Sequence, residues 1–377
     1  MKPSRIRAVA HKEFLHIIRD PRSLAMALLL PVLMILLFGY GLSLDVDRIP
    51  TVIFDSDNSP ESRAIITQFQ GNRYFQIAGY AQDYPGMQKS IDSGQAMLAL
   101  VIPQHYSRDL RQGASPQIQV LVDGSDSNTA SIALGYANTL LRRHAINMSA
   151  TELNRSSGFK KPPAVEARIR VWYNSDLKSK NYIVPGLIAI VLMTIASLLT
   201  SLTIAREWEM GTMEQLISTP LLPSELVLGK MSAFFVLGCI DTILAIFAGV
   251  AVFGVPLRGS LVFLAISSGI FLFGALCWGI LISSIARSQL LAYQMGSLTT
   301  FLPGFLLSGF IFAIENMPPV VQYLSYLVPA RYFVRILKGV FLRDIGIRIL
   351  WGEIGLLLVF AVLVFFAATR RLNQEVG

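Results

Sequence analysis

The sequence predicts an α-helical polytopic membrane protein with six transmembrane helices and an α/β extracytoplasmic domain inserted between helices 1 and 2. Three observations lead there. Hydrophobic residues make up 53% of the chain and charged residues 15%, against roughly 25% charged in an ordinary soluble domain. Long uncharged runs recur along the chain, and about 20 residues rising 1.5 Å each cross a hydrocarbon core of about 30 Å. A single long stretch, residues 45–180, has the mixed composition of a soluble domain, with 15 basic and 13 acidic side chains.

Residues 1–22 carry Lys2, Arg5, Arg7, Lys12, Arg19 and Arg22 against Glu13 and Asp20. Ile6, Val9, Ala10, Phe14 and Ile17 recur at helical spacing, so the segment reads as an amphipathic helix in the interface plane, with Glu13 as a blemish on its apolar side. An ordinary basic flank that fixes topology is the other reading. Residues 23–44 hold no charge and form the first span. Their apolar run exceeds the 7–15 residues of a signal peptide and no small-x-small site follows, so the span is expected to stay uncleaved.

Within residues 45–180, β-like runs at 50–54, 96–102, 117–122 and 166–173 alternate with helical stretches at 60–69, 83–93, 105–111 and 127–148. Such alternation predicts an α/β or α+β domain large enough for its own core. No grouping of nucleophile and base stands out in it, which favours a structural or docking role. The second span covers residues 181–205, with Trp172, Tyr173 and Tyr182 near its outer end, where aromatic rings suit the interface. Spans three to five follow at 231–257, 259–286 and 288–314, with Asp241 their one charge.

Residues 315–348 do not read as a simple loop. The apolar run 320–328 is too short to cross and is bracketed by Pro318, Pro319 and Pro329, which suggests re-entrant or interfacial helices. Arg331, Arg335 and Lys338 then form a basic stripe on one helix face. The last span, 349–369, delivers Arg370 and Arg371 of the tail 370–377 to the cytoplasm. Five basic residues of the 315–350 region lie outside on this topology, against the positive-inside tendency, yet six spans with both termini cytoplasmic satisfy most of the charge evidence.

The formal charge of +8 sits in short flanks and loops, so membrane orientation explains it and a nucleic-acid partner is not expected. Cys239 and Cys277 lie in apolar runs and read as packing residues. His11 and His16 are five apart, where a zinc-binding HExxH places its histidines four apart, so no metal site is expected.

The markedly polar interruption between two spans is residues 206–230. Arg206, Glu207 and Glu209 form a charged cluster, Gly211 interrupts, and Thr212 with Gln215 has the spacing of a capping box that starts a new helix containing Glu214. Pro220 and Pro223 should end it. A short, stiff amphipathic helix fused to two spans suits force transfer from a soluble partner. The chain has no GxxxxGK[ST] and no GxSxG, so it is not expected to be an enzyme or to hold a cofactor. Asp241 allows two readings: a proton or cation relay or a polar lining for a substrate path, against a polar contact to Thr242 or to a serine of span four.

Several motifs then fall together: KEF at 12–14 with RDP at 19–21, PVLMILLFGYGL at 31–42, VDGSDSNTA at 122–130, AREWEMGTMEQLISTP at 205–220, LSGFIFAIENMP at 307–318 and PARYF at 329–333. On these the sequence resembles the permease subunit of type-2 ATP-binding-cassette (ABC) exporters, in the bacterial multidrug branch with a large periplasmic domain. The resemblance implies that residues 1–22 are an elbow helix and that Arg206 through Pro220 hold a coupling helix docked on an ATPase. Lys12, Glu13, Arg206, Glu207, Glu209, Gly211, Thr212 and Glu214 would be the coupling residues. Residues around Pro318, Pro329 and Arg331 would form re-entrant outer-leaflet helices. It further implies a second permease subunit, identical or paralogous, ATP and Mg used by the partner ATPase, a periplasmic membrane-fusion adaptor, and residence in the bacterial inner membrane. The implied activity is efflux of amphipathic or hydrophobic compounds. The alternative is mechanotransmission, or export of lipid or glycolipid with a periplasmic partner.

Overall fold

A computed structural model describes residues 1–42, 48–112, 114, 116–125, 127–157 and 178–376. The chain divides into two compact units, Leu44–Arg170 and the remainder, Met1–Ser43 with Val171–Gly377.

The inserted unit begins at β1 (Ile49–Asp55), and its helices start where the sequence supplies a cap. Ser59 and Ser62 exchange side-chain and backbone bonds ahead of Pro60, a reciprocal cap that opens α3 (Pro60–Gln70). After β2 (Phe75–Tyr80), the Asp83 carboxylate accepts from Gly86 N at 2.7 Å and opens α4 (Tyr84–Asp92). Then come β3 (Leu98–Ile102), α5 (Tyr106–Arg111), β4 (Gln119–Val122) and α6 (Ser127–Ser157). The sheet order is β2-β1-β3-β4, with β1 parallel to β2 and β3, and β4 antiparallel to β3. Ile49, Ile53, Leu98, Leu100 and Ile102 pack with Ile65, Phe69 and Ala133 on one face, while Val52, Ala99 and Val101 meet Met87 on the other. Burial on both faces is why β3 reads as an unbroken apolar run. Strand β2 had no counterpart in the sequence reading. The run at 166–173, Trp172 and Tyr173 lie outside the described residues.

The larger unit starts with α1 (Pro3–Arg19) and α2 (Pro21–Gly41), and resumes with α7 (Ser179–Glu209), α8 (Met213–Ile217) and α9 (Pro223–Phe247), which closes in a π turn over Ala248–Val252. Helices α10 (Leu261–Ala286), α11 (Gln289–Leu307), α12 (Pro319–Ser325), α13 (Pro329–Lys338) and α14 (Ile347–Val376) complete it. Among the described residues five helices, α7, α9 with its π turn, α10, α11 and α14, are long and apolar enough to cross a membrane, and α2 adds a shorter apolar stretch, Ala27–Gly41. The centre is α7: 78% of its apolar window is buried, against 22–50% in the other four.

Small residues let α10 lie against α7. Ala275, Gly279 and Ser283 recur every four residues along α10, all buried, which is how helices approach closely in a membrane. A Cβ at Gly279 would sit 2.0 Å from Thr200 Oγ1 and 2.3 Å from the Ser197 carbonyl oxygen. Thr200 Oγ1 donates to the Leu276 carbonyl at 3.0 Å, and Ser283 Oγ accepts from the amides of Ile204 and Ala205 at 2.9 Å.

One expectation for the later chain needs correction. The fifth apolar run, 288–314, is not helical throughout: α11 ends at Leu307, and Gly309 turns the chain at φ 77°. The Gly309 carbonyl is taken by Tyr182 Oη at 3.0 Å and Lys338 Nζ at 2.9 Å, so it cannot serve a continuing helix. Arg331, Arg335 and Lys338, the expected basic stripe, share one helix but not one environment. Pro318 caps α12 and Pro329 opens α13, whose Arg331 is 7% exposed. Arg331 donates to Ser325 Oγ and the Gln322 carbonyl and lies 3.7 Å over the Tyr326 ring. Lys338 sits 3.3 Å from the Tyr182 ring centroid, and Arg335 pairs with Glu353 at 3.2 Å.

The α7–α10 approach makes a direct prediction. Gly279→Ala should cost about 1–3 kcal/mol or more, because the backbone carbonyl it meets cannot step aside. Gly355→Ala, with nothing within 4 Å, should be neutral. Thermal unfolding of both variants in detergent checks this, and equal midpoints would mean the helices part without loss.

Candidate functional site

The polar stretch resolves into a junction of four helices. Its first three charges are not on a separate helix: Arg206, Glu207 and Glu209 occupy the last turn of α7. Gly211 then takes φ 68°, a conformation open to glycine at little cost. The Gly211 amide bonds to the Trp208 carbonyl at 3.2 Å and the Thr212 amide to the Glu207 carbonyl at 3.0 Å, the paired bonds of a Schellman terminus. The capping box expected from Thr212 and Gln215 is absent. Thr212 makes no side-chain cap bond to α8; its hydroxyl donates to the Glu207 carboxylate, a charged and therefore stronger acceptor. Helix α8 is five residues long and ends at Ile217, three before Pro220, while Pro223 is the first residue of α9. Its Met213 is buried; Glu214 and Gln215 are exposed.

Beside that turn lies a buried ion cluster. Lys230, in the second turn of α9, is 2% exposed, Glu13 of α1 5% and Glu207 6%. Lys230 Nζ donates to Glu13 Oε1 at 2.7 Å and to Glu207 Oε1 at 3.1 Å. Lys12 Nζ donates to the same Glu207 oxygen at 2.7 Å and stands 3.9 Å from Glu13 Oε1. Two ammoniums thus face two carboxylates: Lys230 is buried with both, and Lys12 meets them from the exposed side. Glu13, a blemish on the apolar face of an isolated helix, is the contact through which α1 grips α9.

The rest of α1 is shaped for the same contact. A Cβ at Gly229 would meet Val9 Cβ at 2.6 Å and the Ile6 carbonyl at 3.2 Å, so glycine there lets the two backbones close. Glu225 reaches back to the Leu222 amide at 3.1 Å, accepts from the Lys2 amide at 2.6 Å and pairs with Arg5 at 3.5 Å.

The same last turn of α7 touches its other neighbours. Arg206 Nη1 lies 2.9 Å from His16 Nε2, and its Nε donates to Gln289 Oε1 at 3.4 Å. Glu209 accepts from the Gln289 amide at 2.7 Å and from Gln289 Nε2 at 2.5 Å, satisfying an otherwise orphaned first-turn amide of α11. Arg287, with φ 54°, ends α10 and places its guanidinium 5.1 Å from the Trp208 ring centroid. A cleft of about 540 Å³ opens between α1, α7, α8 and α9, with Lys12, His16, Arg206, Gln215, Thr219 and Phe234 among its walls.

Of the coupling residues inferred from sequence, the structure brings Lys12, Glu13, Arg206, Glu207, Glu209, Gly211 and Thr212 into this junction and leaves Glu214 projecting from it. Sequence reasoning missed Lys230, which it placed merely at the edge of a loop. Two anomalies could have found it: a lysine at the head of an apolar span and a glutamate on an apolar helix face.

Asp241 lies elsewhere. It is 2% exposed and its Oδ1 has no hydrogen-bond partner among the described residues. The expected contact with Thr242 is not made, since the Thr242 hydroxyl bonds to the Gly238 carbonyl of its own helix at 2.7 Å, as helical hydroxyls do. No serine of α10 reaches Asp241 either: Ser267 bonds within α10, and Ser268 Oγ has no partner. No group of three or more metal-ligating side chains occurs among the described residues.

Comparison with known proteins gives this geometry a setting. The profile of a family described as "ABC-2 family transporter protein" matches residues 21–370. The chain is 36% identical over 365 residues to "Probable multidrug ABC transporter permease YbhS" of Escherichia coli (strain K12), covering 97% of this chain and 93% of that one. It is 28% identical to "Probable multidrug ABC transporter permease YbhR" of the same organism, over 99% of each. "ABC transporter G family member 20" of Dictyostelium discoideum is 20% identical over 98% of this chain and 50% of its own length.

The cluster predicts a measurable coupling. Lys230→Met should cost about 3–5 kcal/mol, because it leaves two buried carboxylates to a single ammonium. Combined with Glu13→Leu it should cost less than the two singles summed, by about 0.5–3 kcal/mol. Denaturation of the four proteins in detergent measures that difference; strict additivity would mean the pair is not made.

Proposed function

Because the chain belongs to the ABC-2 transporter family, we propose that it is the membrane-spanning permease subunit of an ATP-driven exporter of amphipathic drugs or other hydrophobic compounds. It sits in the bacterial inner membrane with six spans, α2 being the first, and with both termini and α8 in the cytoplasm. The α/β unit is periplasmic and meets a membrane-fusion adaptor. ATP and Mg bind to a separate ABC ATPase subunit, and two permease chains, identical or paralogous, enclose the path between them.

The observation that carries this reading is the last turn of α7, where α1, α9, α11 and the exposed α8 are held to one set of side chains. Closure of the ATPase on ATP displaces α8. Gly211 and the Thr212 bond to Glu207 pass the displacement to α7. Lys230 and Glu13 pass it to α9 and α1, and Glu209 passes it to α11 through Gln289. Four helices then move as one body, and the space between the permease chains opens. The small number of groups free to meet the ATPase follows from the same geometry: Glu207 and Glu209 are committed inside the chain, whereas Glu214 and Gln215 face outward.

The test separates the two kinds of glutamate. Glu214→Lys should lower ATP-dependent dye export from vesicles holding both subunits by about tenfold or more, roughly one lost charged contact at an interface, without lowering the thermal midpoint. Glu207→Lys should instead destabilise the chain itself. Unchanged export in Glu214→Lys would remove α8 as the transmitting element.

A further inference from the structure

On the side of the bundle away from the ion cluster, the structure assigns a second site: a groove for one acyl chain of an anionic phospholipid, between α9 and α10, with the headgroup phosphate at Arg258. It needs only that the chain is embedded in a membrane and is independent of the export reading. The groove measures about 480 Å³ and runs from Cys239 and Leu272 at its inner end to Val250 and Leu261 at its outer end. Ile243, Phe247 and Leu261 on its walls are exposed.

Length identifies the occupant. From Cys239 to Val250 α9 and its π turn rise about 16 Å at about 1.5 Å per residue, and half of a 30 Å hydrocarbon core is about 15 Å. The groove therefore spans one leaflet and ends where headgroups begin. A cation stands at that level. Arg258, in the connection between the π turn and α10, is exposed and has no ion-pair partner among the described residues. Its backbone is fixed: the Arg258 amide donates to the Phe341 carbonyl at 3.3 Å and the Gly259 amide to the Val340 carbonyl at 2.8 Å. That bonding also brings the connection beside the turn that carries exposed Arg343. Arg331 and Lys338 spend their charge inside the protein and exposed Arg335 is paired with Glu353, whereas Arg258 has no such partner among the described residues. An anionic headgroup complements it, and cations at a membrane surface draw anionic lipid.

Native mass spectrometry of the full chain in mild detergent, titrated with phosphatidylglycerol and phosphatidylcholine of equal chain length, tests the site. One phosphatidylglycerol per chain should be retained, about fivefold more than phosphatidylcholine, the preference expected of one arginine near the phosphate. Arg258→Gln should erase that preference. Gly269→Leu, at a position where a Cβ meets only the Phe235 ring at 3.7 Å, should fill the groove and reduce both lipids. Should that variant not fold, the surface change Arg258→Gln decides alone. Equal retention of the two lipids by the unmodified chain would overturn the assignment, as would displacement of the lipid by inorganic phosphate or by an exported dye. Cross-linking of Ile243→Cys between two copies in membranes would give the groove to a second chain instead.

Discussion

Everything at one end of this bundle depends on keeping Lys230 charged while it is buried. An ammonium away from water is tolerated only when opposite charges and hydrogen bonds replace its hydration, and the replacements come from two other helices. Glu13 arrives on α1, Glu207 on the final turn of α7, and Lys12 balances the second carboxylate. None of these positions is free to drift without exposing the others to an unpaired charge. A buried network of this kind contributes little net stability compared with well-packed apolar residues, but it selects one arrangement of the helices over near alternatives.

The opposite end of the bundle handles charge differently. There the basic residues find carbonyls and aromatic faces: Arg331 has Ser325, Gln322 and Tyr326, and Lys338 has Gly309 and Tyr182. A cation held this way is part of the fold and says little about which side of a membrane it was placed on. The positive-inside tendency counts charges available to solvent and lipid, and Arg331 and Lys338 are withdrawn from that count.

Much of the architecture was legible because it follows local rules. Apolar runs gave the long helices, and strands β1, β3 and β4 stand out as β-branched and apolar segments between polar ones. Strand β2 escaped because FQIAGY is half exposed, with Gln76 and Gly79 breaking its apolar pattern. The site was legible in its members but not in its connections. The REWEMGT segment and Lys12–Glu13 are 193 or more positions apart, and no periodicity links them. The Thr212–Gln215 spacing met the rule for a cap, yet a carboxylate five residues back was the better partner for the hydroxyl. Local pattern identifies candidates for a hydrogen bond, and tertiary competition decides among them.

Glu13 and Lys230 are separated by 217 residues. At roughly 5–20 residues per second of synthesis, about 10–40 s pass between the emergence of one and of the other. During that interval α1 has its carboxylate and no α9 to receive it. Its basic residues and exposed Phe14 and Ile18 suit it to wait at the membrane surface, where Glu13 stays hydrated. Only when α9 enters the bilayer can the cluster close, so the grip of the first helix waits on all the chain made between them. Assembly of the junction thereby reports that the chain behind it has been inserted.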